Sequence, residues 1–221
     1  MINRLVDIFG NKTKALEVLY LLEGVKPVVR HGFYEHELPK IESFCEANNL
    51  VIEKSLYKVV IVDAEEGEYS NKGIKVKTDD PRQGMLFIYI SKDKAKAELA
   101  SRYESEGNHK ELGLLLGYPL CCIDFFIKHK NEQSMANNDY VEPILSNSEG
   151  DMFQFYTNVF KKQFDVTLLN HFPCSLDCEG SIDLAQTHLD IIRKYDPPLA
   201  EYLIQRLKCK VNMEKGVIEF Y

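Results

Sequence analysis

The sequence predicts an α+β fold, in which a small, mostly antiparallel sheet is joined to a predominantly helical C-terminal half. Three observations support this. Apolar residues recur at helical spacing in the first fifty residues, β-branched and aromatic residues dominate residues 51–91, and helical spacing returns from residue 92. No repeat or low-complexity linker interrupts the 221 residues. We therefore expect a single domain with a helical part (1–50), a small sheet (51–91) and a helical part (92–221).

The N-terminal part is predicted to form helices at residues 3–9, 12–22 and 36–48. In the second of these, Ala15, Leu16, Leu19 and Leu22 recur on one helical face. Gly10 and Gly24 mark breaks between helices.

The sheet is predicted from β-branched and aromatic runs at residues 51–52, 57–62, 74–76 and 85–90. Turn-rich residues at 65–67 and 79–81 separate these runs. The run 58–63 is apolar enough to predict a central strand covered on both faces.

Helical patterns follow Ser91, a favourable N-cap residue. The predicted helices span residues 92–106, 109–116, 120–130, 152–164, 175–195 and 198–207. The chain closes with a predicted hairpin, 208–212 and 217–221, which turns at 214–216 and can extend the sheet.

Composition excludes several classes of protein. A hydrophobic content of 45% and a charged content of 28% are typical of globular proteins, and the net charge of −7 disfavours nonspecific binding to nucleic acid. Asp7 and Glu17 interrupt any signal peptide, and no apolar run is long enough to span a membrane. Most of the six cysteines are clustered at close spacing, which suits a reducing cytoplasm. The absence of Trp, with Lys, Glu and Ile common, points to an archaeal or thermophilic source.

Two cysteine-bearing blocks carry the chemistry. The first, residues 116–126, contains Cys121 and Cys122, and the second, residues 170–181, contains Cys174 and Cys178. Each block has a proline just ahead of its cysteines, which predicts that both blocks begin helices. A helix N-terminus favours the thiolate, which is the form of cysteine that binds metal.

The spacing in the second block predicts convergence of its sulfurs. With Ser175 as N-cap, Cys174 precedes the helix and Cys178 lies one turn inside it. The isolated Cys45 and Cys209 are interpreted as buried, space-filling residues.

Two kinds of metal centre fit these ligands. All four thiolates, or three with one iron left open, suit a [4Fe-4S] cluster. His171, Cys174, Cys178 and one of Cys121 or Cys122 would instead make a zinc site of three cysteines and one histidine, and a four-cysteine zinc site is a further alternative. Adjacent side chains on a helix diverge by about 100°, which favours either the iron–sulfur interpretation or a reactive thiol that is not a ligand at Cys121 or Cys122.

Other polar residues flank the cysteines. His171 can also act as a general base, while Tyr118, Asp124, Asp177 and Ser181 can orient ligands or move protons. No glycine-rich phosphate loop or nucleophile elbow is present.

The two blocks resemble the domain-of-unknown-function 483 family of archaeal and bacterial proteins. The resemblance covers about residues 85–195 and implies that the blocks belong together, without an established activity. The cysteine layout is also similar to the CCG domains of heterodisulfide reductases, which hold iron–sulfur clusters, although a C-x3-C spacing replaces C-x2-C here.

Three functional hypotheses follow. The first is a cytoplasmic iron–sulfur protein acting in sulfur or redox chemistry. The second is a noncatalytic protein with a structural zinc site, and the third is a metal-free protein whose thiols cycle with a disulfide. The expected partner is a small molecule or another protein.

Overall fold

The computed structural model describes residues 1–61, 73–130, 140–213 and 216–221. It contains 52% helix and 20% strand, and the predicted α+β class is confirmed. The helices are α1 (Ile2–Phe9), α2 (Lys12–Leu22), α3 (Leu38–Ala47), α4 (Lys94–Glu106), α5 (His109–Leu115), α6 (Leu120–His129), α7 (Val141–Ser146), α8 (Glu179–Tyr195) and α9 (Pro197–Leu207). The strands are β1 (Val28–Phe33), β2 (Val51–Ile61), β3 (Gly73–Lys77), β4 (Met85–Ser91), β5 (Met152–Phe153), β6 (Lys210–Met213) and β7 (Gly216–Phe220).

The chain divides into two compact units. One comprises Gly24–Gly117, and the other combines Met1–Glu23 with Tyr118–Tyr221. The single domain expected from the sequence stays a prediction. Across the described ranges, no helix has the length and apolar character needed to cross a membrane.

The Gly24–Gly117 unit is built on an antiparallel sheet with strand order β1-β4-β2-β3. The interior position predicted for the run 58–63 is confirmed as far as Ile61, because β2 lies between β4 and β3. Burial alternates along this stretch, however, with Lys58 and Val60 buried and Val59 only partly covered. One face is therefore more open than the sequence predicts. The turn expected at 65–67 lies outside the described residues.

Strand β1 corrects the prediction that the first fifty residues are helical. It pairs with β4 in an antiparallel register that sets Val28 opposite Ser91 and Phe33 opposite Leu86. At six residues it is too short to carry a strong periodic signal, and Arg30 and His31 interrupt its apolar character. Its backbone partners come from a strand more than fifty residues away, which a local pattern does not contain.

A partly buried polar network joins α4 to this sheet. The Glu104 carboxylate accepts hydrogen bonds from Arg30 Nε at 2.6 Å, Tyr89 Oη at 2.6 Å and Tyr57 Oη at 2.8 Å. Burial alone would raise the pKa of Glu104, but the bonds from Arg30 and the two tyrosines outweigh it and hold the pKa below its ordinary value. One helical carboxylate thus fixes three strands.

In the second unit, α2 depends on a cap from a distant part of the chain. Asp165 accepts from the backbone N–H groups of Lys12 at 2.7 Å and Thr13 at 2.8 Å, which have no intrahelical partner at a helix start. Further along α2, the ring of Tyr20 stacks on His188 of α8 with centroids 3.8 Å apart. These contacts hold α2 against the cysteine-bearing part of the chain.

The predicted helix at 152–164 is wrong. This segment forms β5 and two short 3-10 helices, Phe155–Thr157 and Lys162–Phe164. Two buried side chains of this segment donate hydrogen bonds to carbonyl groups far away in the sequence. Thr157 Oγ1 donates to Leu176 O, and Asn158 Nδ2 donates to Leu207 O. These long-range bonds fix an irregular backbone that local helical spacing does not reveal.

The C-terminal strands β6 and β7 pair in antiparallel fashion, as predicted for a hairpin. Residues 214 and 215 of the predicted turn lie outside the described residues. The hairpin does not extend the four-stranded sheet. Strand β7 also pairs with β5, and the three strands form a separate sheet of order β5-β7-β6.

Candidate metal centre

Helix α6 presents the tandem cysteines in its first turn. Pro119 is the N-cap residue, and its carbonyl accepts from the N–H groups of Cys122 and Ile123 at 3.0 Å each. The sequence predicts a helix that starts next to Pro119. In the structure Pro119 immediately precedes the first helical residue, Leu120. Cys121 is exposed at this end, whereas Cys122 is only 3% exposed.

The second block departs from its predicted geometry. Helix α8 begins at Glu179 with Cys178 as its N-cap residue, so the prediction of a helix starting after Ser175 is wrong. The block is instead held by α7 and the residues that follow it: Asn147 Nδ2 donates to Cys174 O at 2.7 Å, and Leu176 N donates to Ser148 Oγ at 2.8 Å. These contacts hold the backbone of residues 174–176 ahead of the helix.

The two blocks nevertheless bring their sulfur atoms together. The Sγ atoms of Cys121, Cys122, Cys174 and Cys178 all lie within 4.8 Å of one another. Cys178 Sγ is 3.6 Å from both Cys121 Sγ and Cys122 Sγ. Four cysteines in such a group can hold a metal ion.

The tandem cysteines converge despite their adjacent positions. Cys121 Sγ and Cys122 Sγ are 3.9 Å apart. Although helical geometry points neighbouring side chains about 100° apart, each sulfur is placed by its own χ1 rotamer and can turn toward the other. The expected divergence therefore does not prevent both sulfurs from joining one site.

A backbone N–H group and a serine hydroxyl contact the Cys122 sulfur. The backbone N–H of Cys174 lies 3.3 Å from Cys122 Sγ, and Ser181 Oγ lies 3.2 Å from it. Ser181 Oγ is also 2.9 Å from His171 Nε2. His171 is therefore linked to the Cys122 sulfur through the hydroxyl group of Ser181. It is not a member of the four-cysteine group.

The two helix starts approach each other closely. An added Cβ at Gly180 of α8 would lie 3.2 Å from Cβ and 3.5 Å from Cγ of Pro119. A side chain at position 180 would thus press on the residue that begins α6. Glycine here permits the spacing at which the two pairs of cysteines meet.

Contacts within the cluster shift the pKa values of Cys122 and Cys178 in opposite directions. Hydrogen bonds with Cys174 and Cys178, together with burial, raise the pKa of the Cys122 thiol. Hydrogen bonds from Cys122 and Cys174 hold the pKa of Cys178 well below its ordinary value. One thiolate is therefore stabilised by neighbouring thiols, and a metal ion would displace the protons that remain.

The other candidate residues are not part of the four-cysteine group. Asp124 and Asp177 are exposed, and the Tyr118 ring packs on His171 with centroids 5.0 Å apart. Cys45 lies in the other unit, and Cys209 accepts a hydrogen bond from Asn158. All six cysteines fall within the described ranges, and all are free thiols.

Sequence reasoning missed Asn147 and Ser148, which support the second block. Their contacts are to the backbone of residues more than twenty positions away, so no local motif could have indicated them.

Comparison with known proteins supports the grouping of the two blocks. Residues 98–199 match the family described as "Protein of unknown function (DUF483)". The match supports the resemblance to the DUF483 family that the sequence predicts for this region. The matched residues include all four clustered cysteines, together with Ser181. No match was found among the curated proteins or among the solved structures.

Proposed function

We propose that this protein binds a single zinc ion through the four thiolates of Cys121, Cys122, Cys174 and Cys178, and that the ion fastens the start of α6 to the start of α8. The observation that carries the proposal is the separation of the four sulfurs. Among the alternatives raised by the sequence, it favours the four-cysteine zinc site.

The sulfur separations suit one tetrahedral ion. With Zn–S bonds of about 2.3 Å, the sulfurs of a tetrahedral site lie about 3.8 Å apart. The separations of 3.6 Å, 3.6 Å and 3.9 Å among Cys121, Cys122 and Cys178 lie close to that value. The fourth sulfur, Cys174 Sγ, lies within 4.8 Å of the other three.

A [4Fe-4S] cluster, the leading hypothesis from the sequence, needs more space. Each thiolate of such a cluster binds a different iron, so the whole cube lies between the sulfurs. Sulfurs within 4.8 Å of one another would have to move apart to admit it. The geometry therefore supports a mononuclear ion over a cluster.

The surrounding groups suit a tetrathiolate site. Four thiolates around Zn²⁺ carry a net charge of −2, which hydrogen-bond donors moderate. The N–H of Cys174 and the hydroxyl of Ser181 meet the Cys122 sulfur, and His171 Nε2 can donate to that hydroxyl in turn. His171 thereby supports a ligand rather than binding the metal.

A closed site with four protein ligands indicates a structural role for the zinc. Catalytic zinc sites commonly keep one position open for water or substrate. Metal binding would then contribute directly to folding of the Tyr118–Tyr221 segment, since the ion links two stretches of chain about fifty residues apart. Because free thiolates are needed, we also propose a reducing cytoplasm as its compartment.

Metal analysis of protein prepared without oxygen tests this proposal. We expect about one zinc per chain and a colourless solution. A brown protein with several irons and labile sulfide per chain would support the cluster instead. A protein without metal whose thiols oxidise reversibly would favour thiol–disulfide chemistry.

A further inference from the structure

The four sulfurs differ in their access to solvent. Cys122 and Cys178 are buried, at 3% and 6% exposure, and Cys174 is partly covered. Cys121 is exposed, and the preceding Leu120 is 50% exposed. One corner of the proposed metal site therefore faces outward, beside an apolar side chain.

The sulfurs also differ in their hydrogen bonds. Cys122 Sγ meets a backbone N–H and a serine hydroxyl. Among the residues that the structure describes, Cys121 Sγ contacts the sulfurs of Cys122 and Cys178 and receives no N–H or O–H donor. A donor that binds a thiolate lone pair lowers its nucleophilicity, so the Cys121 sulfur keeps a more reactive lone pair than the Cys122 sulfur, and it is more exposed than the partly covered Cys174.

We propose that Cys121 is the reactive ligand of this centre, whose metal-bound thiolate takes an alkyl group from a soft carbon electrophile arriving from solvent. This inference rests on the proposed zinc site and adds a reaction to it. The less accessible Cys122, Cys174 and Cys178 hold the metal while the exposed ligand reacts.

The reaction is a simple displacement. A lone pair of Cys121 Sγ forms a sulfur–carbon bond, the bond from that carbon to its leaving group breaks, and the leaving group departs with the bonding pair. No oxidant, reductant or proton is consumed. The product is a thioether at position 121, and zinc keeps three thiolates.

Competitive alkylation of the zinc-loaded full chain tests this assignment. The protein is treated with a limiting amount of iodoacetamide, labelled cysteines are located by peptide mass spectrometry, and zinc is counted on the same sample by native mass spectrometry. We expect Cys121 to be labelled about tenfold or more faster than Cys122, Cys174 and Cys178, with zinc retained. Cys209, a free thiol outside the cluster, is the internal reference.

The outcomes distinguish failure of the Cys121 assignment from failure of the zinc site itself. Zinc present with preferential labelling of Cys174 or Cys178 would overturn the role of Cys121 and leave the metal site standing. Absence of bound zinc would overturn both. Cys121→Ser should remove the fast-labelled position without changing the rate at Cys209, and an unchanged rapid phase in that variant would contradict the assignment even if its zinc is weakened.

Discussion

The hydroxyl oxygen of Ser181 lies 3.2 Å from the sulfur of Cys122. Because the same oxygen is 2.9 Å from His171 Nε2, the serine can donate to the sulfur while accepting from the imidazole. Ser181 is fully buried, at 0% exposure, so water cannot replace it without a rearrangement. The Cys122 sulfur is thus connected through Ser181 to a histidine outside the four-cysteine group.

Replacing Ser181 by Ala should weaken zinc binding without removing a ligand. Loss of a group that hydrogen-bonds a metal ligand typically costs about 10–100-fold in affinity, and we expect a loss in that range. Competition with a colorimetric chelator measures it. Thr187→Ala, on an exposed position of the same helix, is the matched control, and equal affinities for the two variants would contradict the role of Ser181.

Replacing Cys178 by Ser should remove a ligand while sparing the helix. Cys178 is the N-cap residue of α8, where serine is favourable, so the start of the helix should survive. We expect zinc affinity to fall by more than about 100-fold, beyond the loss expected for a supporting group. Cys209→Ser is the control. Undiminished zinc content in Cys178→Ser would remove this residue from the ligand set.

Replacing Gly180 by Val should separate the two helix starts. An added Cβ already lies 3.2 Å from Pro119, and the valine methyl groups would crowd it further. Overpacking of this kind costs about 1–3 kcal/mol, which should appear as weaker zinc binding and a lower melting temperature. Asp183→Val, at an exposed position of α8, controls for the helix propensity of valine. Equal zinc binding by the two variants would show that the close approach at Gly180 does not set the geometry of the site.

The Glu104 network should make stability depend on pH. Its pKa is lower in the folded protein than in the unfolded chain, so its contribution is complete above the unfolded value of about 4.3 and is lost as pH falls through the folded pKa. Glu104→Gln should flatten this acid-side slope and cost about 3 kcal/mol, because Arg30 loses its countercharge.

Urea unfolding at a series of pH values measures this dependence. Glu106→Gln, an exposed carboxylate on the same helix, should change little. Wild-type and Glu104→Gln proteins with the same acid-side slope would show that this carboxylate does not couple folding to protons.

The cysteine blocks were predictable because each is a compact local signal. Pro119 followed by Cys121 and Cys122 indicates a helix start that carries thiols, and the structure confirms that helix at Leu120–His129. Convergence of the four sulfurs also agrees with the sequence prediction.

The details that differ are set by distant contacts. Helix α8 starts at Glu179 rather than after Ser175, and Asn147 and Ser148 bind the backbone of the second block ahead of it. His171 meets Ser181 rather than the sulfurs, and only the path of the chain decides between these partners. The strand β1 likewise depends on pairing with β4. None of these partners is visible in a window of local sequence.

X-ray absorption at the metal edge tests the central claim most directly, because it counts and identifies the atoms bound to the ion in the intact protein. We predict zinc with one shell of four sulfur neighbours at about 2.3 Å and no second metal nearby. A shell containing nitrogen or oxygen, or a metal–metal distance typical of an iron–sulfur cluster, would contradict the proposed site.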